Sequence, residues 1–148
     1  MEKIKRVVIP IDDTIASKIA AEQGAYFAKL LNVSVSLVSV NEANQYMLSA
    51  LLENKMNKEK QILLNDLKEI AENQGITATT ELRSGSPAEE IVKYTNEDDL
   101  IIMASHGREG FNKFLLGSVS EEVLHSAPCS VMIIRPKNRT NHKNHQKK

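Results

Sequence analysis

Five short strand-like runs alternate with helical stretches along this chain, and no other feature restricts its fold as far. Arg6 to Ile11 (RVVIPI) is an apolar run of strand length. A helical segment follows from about Thr14 to Leu31. There Ile15, Ile19, Phe27 and Leu30 mark a buried stripe, and Asp13 or Thr14 is placed to cap the start. Val33 to Val40 (VSVSLVSV) reads as the second strand, and its Val/Ser alternation predicts one face packed more tightly than the other. Asn41 to Tyr46 reads as a polar loop, and a long helix runs from about Met47 to Asn73. Its Leu63, Leu67 and Ile70 keep i, i+4, i+7 spacing, and Gly75 is a stop signal. Ile76 to Arg83 is the third and most polar strand, which suits a sheet edge. Pro87 opens a helix after Ser86, with Ile91 and Val92 turned to the core. Asp99 to Ala104 is apolar enough to be a central strand. Gly117-Ser118 precedes a helix to about His125, and Ser130 to Arg135 is the fifth strand.

Strands alternating with helices imply an α/β fold: a parallel sheet covered on both faces. Ligands of such sheets bind beyond the carboxyl ends of the strands, where the winding reverses. That places a site on the loops after the first, second and fourth strands: Pro10 to Asp13, Val40 to Asn41, and Met103 to Gly117.

Composition narrows the class further. A length of 148 residues fits one domain, and 19 basic residues balance 19 acidic ones. No global field draws the chain to nucleic acid or to an anionic membrane. The hydrophobic fraction is 41% with only 4% aromatics, so the core is aliphatic. No apolar run approaches the roughly 18 residues of a membrane helix. Cys129 is the only cysteine, which rules out an intrachain disulfide and agrees with a soluble cytoplasmic protein. Lys137 to Lys148 contains no apolar residue and reads as a disordered tail behind a domain at 1–136. His142 and His145 in that tail lack any partner ligand that would make a metal site.

Chemistry can be sought at three places. Asp12 and Asp13, at the end of the first strand, can accept hydrogen bonds from ribose hydroxyls or an adenine amine, or can serve the helix start. Gly107 and Gly117 can bound a loop that folds back, so that the N–H groups of Gly117, Ser118 and Val119 meet an anion with the Ser118 and Ser120 hydroxyls and Arg108. The alternative is that Ser118 caps the helix, since Ser118 to Glu121 has the form of a capping box. His106 beside Ser105 lacks the G-x-S-x-G setting of a nucleophile, and Cys129 reads as a small buried hydrophobe.

The stretch SHGREGFNKFLLGSVSEEVLHSAPCSVMIIR, with VVIPIDDT and EEIVKYTNEDDLIIMASHGR, resembles the universal stress protein (UspA-like) family over about Lys5 to Pro136. The resemblance implies a Rossmann-like, open, twisted, five-stranded parallel sheet of order 3-2-1-4-5, with helices on both faces. It also implies a homodimer, which we expect to form through the fifth strand, Ser130 to Arg135. Many family members bind ATP through G-x-x-G, nine residues, then G-(S/T). Here Gly107, Arg108 to Leu116 and Gly117-Ser118 fit that pattern, and Ala104 replaces the first glycine. Alanine adds a methyl group and would resist a positive φ if the loop required one. By the same resemblance Asp12 holds the adenosine end, the Val40 backbone meets adenine, Gly107, Gly117, Ser118 and Ser120 receive phosphates, and Pro10 and Ile11 belong to the site. Met103, Ala104, His106, Arg108 and Val119 complete the nucleotide site. The implied cofactor is ATP, with or without Mg or Mn.

The leading expectation is therefore an ATP-binding regulatory protein of stress response, not an enzyme, although slow incidental hydrolysis is compatible with it. The alternative is a dimeric interaction module that binds no nucleotide. An ATPase or nucleotidyl transferase is disfavoured by the lack of an S-G-G-x-D-S loop or an H-x-G-H motif.

Overall fold

A computed structural model describes residues 3–105 and 116–136. Strand β1 is Arg6–Pro10, helix α1 Ile15–Leu31 and strand β2 Ser34–Asn41. A 3-10 turn at Ala43–Tyr46 leads to helix α2, Ala50–Asn73, and strand β3, Ala78–Ser84. Helix α3 is Pro87–Tyr94, strand β4 Asp99–Ala104, helix α4 Ser118–Ser126 and strand β5 Ser130–Ile134. The five strands form one parallel sheet of order β3-β2-β1-β4-β5. Helices α1 and α2 bury one core against it around Ile9, Leu37, Leu64 and Ile102. Helices α3 and α4 bury a second around Val8, Val38, Ile101 and Val123.

The polar strand β3 does lie at an edge, and the apolar β4 is buried along its whole length. Other expectations need correction. Asn41 belongs to β2, not to the following loop, and that loop contains the 3-10 turn. Helix α2 starts at Ala50, β3 at Ala78, and β5 stops one residue before Arg135. Val35 to Asn41 are buried on both faces, because helices cover the sheet on both sides. A serine there must find a partner, and the Ser36 hydroxyl lies 2.6 Å from the Tyr94 hydroxyl.

The largest correction concerns α1. Ile15 and Leu30 are 80% and 64% exposed, and Ile19 and Phe27 are only half-buried. The buried stripe is instead Ala16, Ala20, Ala21, Gly24, Ala25 and Ala28. Small residues let the helix approach the sheet closely. A Cβ at Gly24 would stand 2.4 Å from Ile9 Cδ1. Helix α2 keeps only part of its expected stripe: Leu67 is buried, Leu63 and Ile70 are half-buried, and Leu64 and Ala71 complete the buried face.

The end of β1 opens the crevice. β1 pairs with β2 as far as Pro10, but with β4 only as far as Val8. The Ile11 N–H donates to the Val38 carbonyl at 2.7 Å, so the preceding residue would direct its N–H to the β4 side. Pro10 has no N–H, and pairing on that side has already ended. Proline therefore costs no ladder bond where the two strands part.

Candidate binding site

Beyond the carboxyl ends of β1, β2 and β4 lies a cavity of about 350 Å³. Pro10, Ile11 and Asp12 enter it from β1, Val40 from β2, and Met103 and Ala104 from β4. Gly117, Ser118, Val119 and Ser120 enter it from the start of α4. With Asp13, which also lines it, the structure thus brings eleven residues singled out as site candidates into one space. His106, Gly107 and Arg108 lie outside the described residues, as do the tail and its two histidines.

Asp12 is held in place locally. Its Oδ1 accepts from the Thr14 N–H at 3.0 Å, from the Ser17 hydroxyl at 2.8 Å and, in a short contact, from the Thr14 hydroxyl. The Asp12 N–H in turn donates to Ser17 Oγ at 2.8 Å. Neither Asp13 nor Thr14 makes the expected cap. Thr14 occupies the N-cap position of α1 without a side-chain cap bond, and Asp12 engages that end of the helix instead. A carboxylate so oriented keeps its direction toward a ligand and complements the helix N-terminus.

The capping-box reading of Ser118 also fails. Gly117 is the N-cap of α4, no side chain caps the helix, and Ser118 is its first residue. The first helical bond runs from the Glu121 N–H to the Gly117 carbonyl at 2.9 Å. The N–H groups of Gly117 through Ser120 therefore have no acceptor within the helix. These four residues, two of them serines, line the same cavity as Asp12. An anion there would gain from the N–H groups and from the helix dipole.

Ala104 is 7% exposed and its backbone pairs with Ile134. It is not among the described non-glycine residues with positive φ. The backbone here therefore makes no demand for glycine, and the only consequence of alanine is its methyl group on the cavity wall.

Several lining residues gave no sign in the sequence that they belong to the site. Glu42 follows β2, Lys60 projects from α2, and Pro87 and Ile91 belong to α3. Lys60 sits in a helix rich in lysine and glutamate, and nothing in that pattern sets it apart from the others. Only the placement of α2 against the sheet reveals that this one lines the cavity. Ser105 is buried, and its N–H donates to the Ile134 carbonyl at 2.9 Å. Cys129 is half-buried at the other end of the sheet, where burial first and the Asp99 charge second push its thiol pKa up. That is the reverse of thiol activation. Among the described residues no helix is long and apolar enough to cross a membrane.

The family model described as "Universal stress protein family" matches residues 3–135. The chain is 33% identical over 139 residues to universal stress protein MJ0531 of Methanocaldococcus jannaschii, covering 88% of this chain and 82% of that one. The fold superimposes on the solved structure of hypothetical protein MJ0577 with a TM-score of 0.76 and 29% identity, over 91% of this chain and 98% of that one. A universal stress protein from Archaeoglobus fulgidus, solved in complex with dAMP, matches with a TM-score of 0.61 and 19% identity, over 88% of this chain and 97% of that one.

Proposed function

This chain belongs to the universal stress protein family, and on that premise we propose that it binds an adenine nucleotide, ATP foremost, as a regulatory protein without a catalytic role of its own. One observation carries the reading: the residues at the start of α4, whose N–H groups find no acceptor within the helix, share a cavity with an oriented Asp12 and with Val40. The phosphates sit at Gly117 to Ser120. Asp12 accepts from the ribose hydroxyls, and the Val40 backbone meets the adenine. The dAMP complex of the similarly folded A. fulgidus protein supports this class of ligand. Mg or Mn, where present, enters with the triphosphate. Nucleotide occupancy then alters the surface that a regulatory partner reads, in the cytoplasm.

We place a homodimer contact on β5. Val131, Met132, Ile133 and Ile134 remain only half-buried on an edge strand, and apolar edges are normally paired or covered. A monomeric mass by sedimentation at micromolar concentration would overturn this.

The test of the main reading is to denature the purified protein, identify the small molecules released, and titrate ATP by calorimetry. Adenine nucleotide released, or bound at micromolar to millimolar ATP, is the expected result. With none released and none bound at millimolar ATP, the dimeric interaction module becomes the better description. Turnover well above that of a Gly117→Val variant would make the protein an enzyme instead.

A further inference from the structure

The site as proposed contains no described cation, yet one lines the cavity. Helix α2 is fixed over β2 and β3 by side-chain bonds, among them one from Asn41 Nδ2 to the Glu53 carbonyl at 3.2 Å. Asn41 Nδ2 donates to Asn57 Oδ1 at 2.7 Å, and Gln61 Nε2 donates to Thr80 Oγ1 at 3.3 Å. Lys60 stands three residues after Asn57 and four before the fully buried Leu64, so it lies on the inward side of the helix. It is half-buried and lines the same cavity as Asp12 and Ser118. None of the ion pairs among the described residues includes it. A half-buried ammonium loses part of its hydration, and a ligand acceptor in the cavity would replace what is lost.

The fold decides which part of the ligand Lys60 meets. Helix α4 covers one face of the sheet, and α2 covers the other. Across the sheet, β2 and β4 flank β1 on opposite sides. A nucleotide with its phosphates at the start of α4 therefore crosses β1 and brings its nucleoside toward β2 and α2. Building on the nucleotide reading above, we infer that Lys60 is a specificity-determining contact for the nucleoside. Its ammonium donates to a ribose oxygen or a purine ring nitrogen, not to phosphate. An ammonium has donors only, so it suits those acceptors and rejects a donor in the same place.

The test measures binding of adenosine, AMP and ATP to the wild type, Lys60→Met and Ser118→Ala. Methionine keeps the apolar stem and removes the charge. Lys60→Met should weaken all three ligands by the same factor, about tenfold for one charge-assisted hydrogen bond. Lys60→Arg should recover part of that loss. Ser118→Ala should weaken AMP and ATP but leave adenosine unchanged. The unfolding midpoint of Lys60→Met should match the wild type. A loss that grows with the number of phosphates overturns the assignment of Lys60 to the nucleoside. So does no loss in Lys60→Met while Ser118→Ala still weakens ATP. A wild type that binds none of the three overturns the nucleotide reading itself, which is a different result.

Discussion

The two ends of the sheet use polar residues in opposite ways. At the amino end, Arg6 donates to both carboxylate oxygens of Asp99, at 3.0 Å from Nε and 2.8 Å from a terminal nitrogen. The other terminal nitrogen donates to the Tyr94 hydroxyl at 3.1 Å, and the guanidinium lies 4.6 Å from the Tyr94 ring centre. Asp99 also accepts from the Asn96 N–H at 2.8 Å. The carboxylate holds the Arg6 pKa above its ordinary value. This end closes on itself. At the carboxyl end, the first residues of α4, Ser118 among them, and Lys60 line a shared cavity. Among the described residues no buried side-chain nitrogen or oxygen lacks a partner, so the open groups are confined to surfaces that a ligand can reach. The fold satisfies polar groups where it needs rigidity and leaves them available where the strands part.

Removing Arg6 should have the largest effect. The Asp99 side chain is 2% exposed, and Arg6→Met leaves that charge without its bidentate partner. Breaking a buried pair on one side costs about 3–5 kcal/mol. For a chain of this size that lowers the melting temperature by roughly 10 °C. The folded fraction should keep its nucleotide affinity. Lost binding with unchanged unfolding would mean that the two ends are not independent.

Ser118→Ala probes the other end. Since Ser118 does not cap α4, the unfolding midpoint should stay within about 0.5 kcal/mol of the wild type. ATP affinity should fall about tenfold, the loss of a hydrogen bond to a charged group. A destabilised variant with full ATP affinity would restore the capping role and close this end too.

How much of this could be read beforehand depends on what each residue's role requires. The apolar β1 and β4, the polar β3 and the turn glycine at Gly75, with φ of 85°, follow from local pattern, and they were legible. The inward face of α1 was not. Counting bulky residues points to Ile15 and Leu30, whereas the inward face carries only small residues, and at Gly24 even a Cβ would collide with Ile9. Asp12, Gly117 and Ser118 were visible because they sit at strand and helix ends, which topology alone brings to the crevice. Lys60 was invisible because the placement of its helix is set by bonds from Asn57 to Asn41 and from Gln61 to Thr80, partners distant in sequence.

Ala104→Gly sharpens the contrast from within the cavity wall. The strand position needs no positive φ, so glycine should cost about 0.5–1 kcal/mol of stability through chain entropy. Removing the methyl should raise ATP affinity by less than about threefold, below the ~1 kcal/mol worth of a buried CH₂. A gain above tenfold by calorimetry would show that the methyl group obstructs the ligand.

The smallest effect belongs to Cys129, at the closed end. Burial and the Asp99 charge raise its thiol pKa in the folded chain above the model-compound value of 9.0. The folded state therefore holds this proton more tightly than the unfolded state does. The resulting stabilisation is fully present below pH 9 and is lost as pH rises through the higher folded value. Cys129→Ala should remove that alkaline decline and leave the neutral-pH midpoint nearly unchanged, as followed by urea unfolding between pH 7 and 10.5. Alkylation of the native protein should likewise be slow at pH 7 and accelerate only in the alkaline range, because the thiolate is the reactive form. Rapid alkylation at neutral pH would mean an activated thiol beside Arg6 and Asp99, and the amino end of the sheet would then be a second chemical site, not a closed one.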